Sequence, residues 1–344
     1  MLRIKFWKIC NGLILRASPL TMNKLKIVFL GTPEIACPFL NRIAADGHSV
    51  SGVISQPDRL QGRGMKLCCP PVKNKAGELK LEIFQPRSHE DLAFILSELK
   101  PDLGVVVAYG RIIKKEALAI ARLGFINVHF SLLPAYRGAA PLQWALIKGE
   151  SVTGVTVFWL DEGMDTGPVL ASREVPVSRD DYAPELFTKT AGAGIELLSE
   201  CLAEISAGRI TKTPQAGQAT LAPKIRPADT RLDFTGTAAD ARNLVRGLSA
   251  GPRARFSIEL GGRPADVQVL RCSLPDGRGA RAAGFGVITA IEREKGFYIQ
   301  CRDGELLIEE VQPEGRKPMS ALDFLNGARL KPGDAAGNDN SSGK

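Results

Sequence analysis

The sequence predicts an α/β protein: a Rossmann-like, doubly wound sheet built from βαβ units, followed by a small β-barrel. Three observations lead there. The chain has 344 residues, 44% hydrophobic and 24% charged, too long for one ordinary domain and apolar enough to bury a sizeable core. From Leu25 to Gly208, short apolar runs alternate with stretches of helical periodicity, as in a sheet covered by helices. Beyond Gly251, short β-like runs alternate with Gly, Pro and Asp turns, as in a small antiparallel barrel.

The elements follow in order. Residues 26–30 (KIVFL) form an apolar run stopped by Gly31 and read as a buried strand. Residues 35–45 have helical spacing, with Gly47 as a stop. Residues 50–55 read as a strand, residues 56–76 as a loop rich in Gly, Pro and charge, and residues 81–84 as another strand. Residues 88–100 read as a helix, with Ser88 and Asp91 in capping-box positions. Residues 103–108 (LGVVVA) are wholly apolar, as a strand covered on both faces should be. Strands at 125–129 and 153–159 follow, with a helix near 141–148 between them and a long helix from about 184 to 207. Strands separated by helices imply right-handed crossovers. Residues 211–226 have no clean periodicity and read as a linker. A helix at 240–248 precedes strands at 256–260, 266–270, 286–291, 296–300 and 306–311. Residues 331–344 are polar and Gly-rich, and disorder is expected there.

Composition excludes several classes. No apolar run approaches the roughly 18 residues of a membrane span. Seven cysteines, at 10, 37, 68, 69, 201, 272 and 301, include no C-x-x-C pair. That argues against a disulfide scaffold or a zinc site, and for a reducing compartment with no metal. Of the three histidines, His48 and His89 lie near helix ends and read as solvated surface residues, leaving His129. The net charge of +8 is uneven: residues 1–100 carry 15 basic and 8 acidic side chains, 101–200 carry 9 and 12, 201–300 carry 15 and 9, and 301–344 carry 6 and 8. Two basic regions flank a slightly acidic middle. A polyanion gripped at both ends around central chemistry gives that pattern, and so does chance variation of surface composition.

Residues 1–21 hold four basic side chains and no acidic one. Two readings stand: a targeting leader, or an over-extended start with Met22 as the true initiator. Both leave the segment outside the fold.

The first strand ends in Gly31-Thr32-Pro33-Glu34, without G-x-G-x-x-G, and no P-loop Lys-Ser/Thr occurs. Neither a dinucleotide nor a nucleoside triphosphate is indicated. The densest chemistry lies in residues 125–144, FINVHFSLLPAYRGAAPLQW. A strand there puts Asn127 and His129 at i and i+2, on one face, at a strand's carboxyl end where open α/β sheets bind ligands. An amide donor beside an imidazole suits oxyanion stabilisation and proton management; a purely structural hydrogen-bonded pair is the bland alternative. The loop Leu160–Gly167 adds Asp165, a carboxylate able to orient and charge-stabilise His129, and Asp161, which reads equally as a turn former. No Ser or Cys nucleophile is placed with them, which favours direct transfer over a covalent intermediate.

The segments FLGTPEIA at 29–36, Asn127-Val-His129 with Ser131-Leu-Leu-Pro134, Arg137-Gly-Ala-Ala-Pro141 and Asp161-x-Gly163-x-Asp165-x-Gly167 resemble the folate-dependent formyltransferases. The resemblance covers residues 22–330. It implies a catalytic trio of Asn127, His129 and Asp165, with Ser131, Leu132, Leu133 and Pro134 lining a tetrahydrofolate site. It also implies a formyltransferase domain at 22–208, a linker at 209–226, an OB-like tRNA-binding domain at 227–330 and a tail at 331–344. The implied reaction moves the formyl group of 10-formyltetrahydrofolate to the α-amino group of methionyl initiator tRNA. The implied enzyme is a metal-free monomer with no membrane partner, in the bacterial cytoplasm, or in the mitochondrial matrix if residues 1–21 are a transit peptide. A formyltransferase acting on a small amine, glycinamide ribonucleotide or an amino sugar, is the alternative; a non-catalytic RNA-binding protein would predict a broken trio.

RNA is favoured by residues 57–76, PDRLQGRGMKLCCPPVKNKA, with Arg59, Arg63, Lys66, Lys73 and Lys75 against the single acid Asp58. Gly62 and Gly64 flank Arg63 and make a flexible arm suited to phosphate and to an unpaired terminus; a solvated charged loop is the competing reading. By resemblance, Arg63, Arg59 and Lys66 contact the tRNA. Arg242, Arg246, Arg253 and Arg255 cluster near the start of the barrel, a fold that often tracks nucleic acid. Arg63→Ala should weaken tRNA use and lower the slope of log affinity against log salt by about one, with folate affinity little changed. Equal loss of folate binding would remove Arg63 from the RNA contact.

Overall fold

Apolar runs flanked by amphipathic helices fold into the expected α/β half. The computed structural model describes residues 24–61, 65–275, 277, 279 and 284–337; residues 1–23, Gly62, Arg63 and Gly64 lie outside the described residues. The elements of this half are β1 (Lys26–Gly31), α1 (Cys37–Ala45), β2 (Ser49–Ile54), β3 (Arg59–Gln61), β4 (Lys66–Cys68), α2 (Pro71–Glu78), β5 (Ile83–Phe84), α3 (His89–Leu99), β6 (Leu103–Val107), α4 (Lys115–Leu118), β7 (Phe125–His129), α5 (Pro141–Ile147), β8 (Val152–Trp159), β9 (Val169–Pro176) and α6 (Ala183–Ser206). Seven strands form one sheet in the order β5-β2-β1-β6-β7-β8-β9. Phe29, Val105 and Val128 face a core shared with α1 and α6, whereas Val28, Val106 and Leu30 face another shared with α3. Burial on both faces explains the unbroken apolar runs. The Ser88–Asp91 capping box is present, with Asp91 N–H donating to Ser88 Oγ at 3.0 Å.

Four expectations for this half need correction. The sheet is mixed: β8 runs antiparallel to both β7 and β9. Helix α5 has only seven residues, an advance of about 10 Å, too little to carry the chain back along the sheet. Strand β9, with its partly exposed mixed sequence, was not foreseen. Residues 56–76 are no plain loop, since β3 and β4 pair as a hairpin and Pro71 opens α2. His48 is buried rather than solvated, 8% exposed, and burial pulls its pKa below the usual histidine value.

The second unit holds α7 (Ala238–Leu248), β10 (Arg255–Leu260), β11 (Arg263–Ser273), β12 (Ile288–Glu292), β13 (Gly296–Gln300), β14 (Glu305–Pro313), β15 (Met319–Ser320), α8 (Ala321–Ala328) and β16 (Ala336–Gly337). Its antiparallel sheet has the order β12-β13-β14-β11-β10-β16. The two ends meet through a bridge between Val287 and Ala335, and through Ala336 N–H donating to Gly286 O at 2.8 Å. That contact closes the sheet around Phe256, Val269, Phe297 and Ile308. Residues 331–337 are therefore structural, contrary to the expected disorder from residue 331: β16 is a stave of the barrel, and its neighbour Asp334 caps the turn through Lys331 N–H.

Arg246 joins the two units. It is 4% exposed on α7, donating to Asp181 O at 2.8 Å, Ser178 O at 2.7 Å and Asn243 Oδ1 at 2.9 Å. A buried guanidinium with these acceptors is structural, which removes Arg246 from the RNA-facing cluster. Arg246→Met leaves the Asp181 carbonyl unpaired and the Ser178 carbonyl with only the Asp181 N–H, and should cost about 1–3 kcal/mol, read as a lower urea midpoint. An unchanged midpoint would show that the joint contributes nothing.

Candidate active site

Strand β7 delivers Asn127 and His129 to one face, opposite Phe158 and Thr156 of β8. Asn127 is half-buried, and no hydrogen bond among the described residues engages its side chain, so its amide donors are open. His129 is 5% exposed, with its ring edge-on to Phe158 at 6.4 Å. Its Nε2 lies 2.8 Å from Tyr136 O. A carbonyl only accepts, so Nε2 must carry a proton, which leaves Nδ1 as the nitrogen that gains or loses one.

Asp165 reaches His129 by an indirect route. Strand β8 is antiparallel, so its carboxyl end lies beside Ile126, and Leu160 N–H donates to Phe125 O at 2.8 Å. The loop then folds back along β7. It brings Asp165 Oδ2 to 3.6 Å from His129 Nδ1 and within 2.8 Å of the donating Gly138 N–H. The orienting hydrogen bond of the imidazole is thus to Tyr136 O, not to the carboxylate. Asp165 supplies charge at ion-pair distance, and its own position is set by Gly138. Gly138 sits at φ +126°, with an added Cβ only 2.6 Å from Ala222 O, so no other residue fits. Asp161 is the turn former: its Oδ1 accepts from Gly163 N–H at 3.0 Å and Thr166 Oγ1 at 2.7 Å.

The segment after His129 divides in two. Ser131 is fully buried and donates to Ala135 O at 2.6 Å, so its hydroxyl is spent inside the loop. Leu132, Leu133 and Pro134 are half-buried, with Leu132 lying over Gly154 of β8. Tyr136, at φ +59°, is pinned at both ends. Its N–H donates to Thr220 Oγ1 at 2.8 Å and its hydroxyl to Glu150 Oε1 at 2.5 Å. Burial and that carboxylate hold the phenol well above its usual pKa.

Residues 211–226 carry more than a linker does. Thr213 and Val169 exchange hydrogen bonds at 2.7 and 2.9 Å, Arg137 N–H donates to Thr220 O at 2.8 Å, and Ala222 N–H donates to Arg137 O at 2.7 Å. Gln215 Nε2 donates to Asp165 O at 2.9 Å and Gly167 O at 2.8 Å, and its Oε1 accepts from Arg137 Nη2 at 2.6 Å. The sequence pointed to neither Gln215 nor Thr220; a glutamine in a polar, aperiodic segment has no signature.

Of the candidate RNA contacts, Arg59 and Lys66 are exposed on the β3–β4 hairpin, with Arg59 hydrogen-bonded to Gln56. Lys73 is taken up at the hairpin base, where its Nζ lies 2.7 Å from Asp58 Oδ2 and 3.0 Å from Gln85 Oε1. These bonds, from Lys73 first and then Gln85, hold the Asp58 carboxyl below its usual pKa. Lys75 pairs with Glu78. In the barrel, Arg253 donates to Gln312 and Arg255 approaches Asp266 at 3.4 Å. Arg242 is mostly buried against Arg179 O, at 2.6 Å.

With this geometry established, comparison with known proteins is decisive. The formyl transferase family profile matches residues 25–202, and the profile of the formyl transferase C-terminal domain matches residues 224–329. The chain belongs to the formyl transferase family. Among its curated relatives, the methionyl-tRNA formyltransferase of Elusimicrobium minutum is 38% identical over 330 residues, covering 90% of this chain and 99% of the relative. That of Symbiobacterium thermophilum is 41% identical over 312 residues, covering 90% and 94%. Two solved structures share the fold. HypX from Aquifex aeolicus in complex with tetrahydrofolic acid has TM-score 0.61 and 20% identity, covering 91% of this chain and 51% of that one. An N-formyltransferase from Helicobacter canadensis, in complex with folinic acid and dTDP-3-aminofucose, has TM-score 0.62 and 20% identity, covering 83% and 98%.

In this formyl transferase, His129→Ala should lower turnover by roughly 10²–10⁴-fold while circular dichroism and the melting midpoint stay close to the parent. A near-normal rate removes His129 from the chemistry.

Proposed function

We propose that this formyl transferase moves the formyl group of 10-formyltetrahydrofolate to the α-amino group of methionyl initiator tRNA, for translation initiation. The observation that carries the reading is the span of the likeness. Relatives named methionyl-tRNA formyltransferase match at 38–41% identity across the catalytic half and the barrel together. A small-amine enzyme needs the trio but has no use for a basic hairpin and a second basic unit.

The site supports each step. The half-buried apolar side chains of Leu132, Leu133 and Pro134 suit an aromatic folate ring. An α-amino group with a pKa of roughly 7.7–8.0 is partly neutral near pH 7, so it needs positioning more than deprotonation. Its nitrogen bonds to the formyl carbon, and the carbonyl electrons move onto oxygen. Asn127 Nδ2 donates to that oxyanion; one such donor is typically worth about 2.7–4 kcal/mol. His129 Nδ1 takes the proton the amine sheds and gives it to the folate nitrogen as the carbon–nitrogen bond to folate breaks. Asp165 balances the imidazolium formed in between. Arg59 and Lys66 of the hairpin, with Arg63 between them in the sequence, then serve the phosphates of the acceptor end.

The test is formyl transfer from 10-formyltetrahydrofolate to methionyl initiator tRNA, run beside free methionine, glycinamide ribonucleotide and a nucleotide-linked amino sugar. Formylation of the charged tRNA alone is expected. Preference for a small amine would keep the trio and discard the RNA reading.

A further inference from the structure

Within residues 211–220 every side chain except that of Gln215 is exposed. Gln215 turns inward, toward the two loops that make the site. Its amide can take only one orientation: the guanidinium of Arg137 only donates, and the carbonyls of Asp165 and Gly167 only accept. Both amide protons and the amide oxygen are thereby used, at 2.6 to 2.9 Å. One of the carbonyls it binds is that of Asp165 itself, whose carboxylate faces His129, and the other lies two residues on; Asp165 is held at φ +55°, a backbone conformation that an L-residue keeps only when its surroundings fix it. Gly167 packs so closely on the end of β8 that an added Cβ would lie 1.8 Å from Trp159 O. The third partner, Arg137, precedes Gly138, whose N–H holds the Asp165 carboxylate. One side chain therefore clamps Asp165 from its backbone side and from the loop that binds its carboxylate.

We infer that Gln215 is a positioning residue for formyl transfer, acting through Asp165 on His129. It touches no reacting atom. It sets the carboxylate against Nδ1, and it does so from the segment joining the two units. The inference rests on the proposed reaction for its kinetic readout but not for its geometry.

Gln215→Ala and Gln215→Glu are compared with the parent and with Asp165→Asn. Glu keeps the shape and the acceptor for Arg137 but loses the donors to both carbonyls, so both variants should lose about 10–100-fold in kcat. KM for each substrate should stay within about twofold and the melting midpoint should hold, as misplacement rather than lost binding requires. In an Asp165→Asn background, Gln215→Ala should cost less than about threefold, because the two act as one unit. A Gln215→Glu enzyme with the parent's kcat, or a full Gln215→Ala loss persisting without the Asp165 carboxylate, would overturn the assignment. If the parent formylates no acceptor, the functional reading fails instead. The ring ¹⁵N resonances of His129 then decide the positioning role: they move in Gln215→Ala if it acts through Asp165, and unmoved resonances refute it.

Discussion

The hydrogen bond between His129 Nε2 and the Tyr136 carbonyl is the constraint on which the site depends. It fixes the ring plane, fixes which nitrogen is protonated, and so decides that Nδ1 meets Asp165. An imidazole able to flip would present either nitrogen to the carboxylate and lose a defined proton path. The carbonyl is aimed by its own residue, held at positive φ between Thr220 and Glu150. Orientation of the imidazole thus passes to a loop, and orientation of the loop to the segment leading into the barrel.

That dependence places the carboxylate in a different light from a serine-protease arrangement, in which the carboxylate accepts the imidazole N–H and sets the tautomer. Here a backbone carbonyl does the orienting. Asp165 is left to supply charge at 3.6 Å, its Oδ2 also accepting from Gly138 N–H. Separating the two tasks suits a direct transfer, in which the imidazole must take and return a proton at one nitrogen without rotating.

Much of this was legible in the sequence where the physics is local. Runs such as KIVFL and LGVVVA can only be strands buried on both faces, and Asn127 and His129 share a face because side chains alternate along a strand. Asp165 was picked out by its Gly-bracketed loop, which leaves the opposite end of β7 and brings the carboxylate to 3.6 Å from His129 Nδ1. What could not be read was non-local. Strand β9 is partly exposed and mixed in sequence, so it lacks a clear strand pattern until β8 pairs with it. The β3–β4 hairpin has three-residue strands whose Leu60 and Leu67 stay exposed, leaving no alternation to detect. Strand β16 is two residues in a Gly-rich stretch, defined only by the edge it completes. His48 is buried in the turn between α1 and β2, and Gln215 acquires meaning only beside Asp165 and Arg137.

The path of residues 211–222 also bears on how this architecture diverges. A chain that merely tethered two units could be cut and rejoined anywhere along it, and acceptor specificity would then change by exchanging barrels. Here the tether is a wall of the catalytic half, bonded to β9 at Thr213 and to the Arg137–Ala140 turn at Thr220 and Ala222. Any recombination that trades the barrel and keeps the chemistry must place its junction beyond Ala222. It must also preserve a partner for the Ser178 and Asp181 carbonyls that Arg246 now satisfies. The modular boundary visible in the fold and the boundary along which function can be exchanged are two different places in the chain.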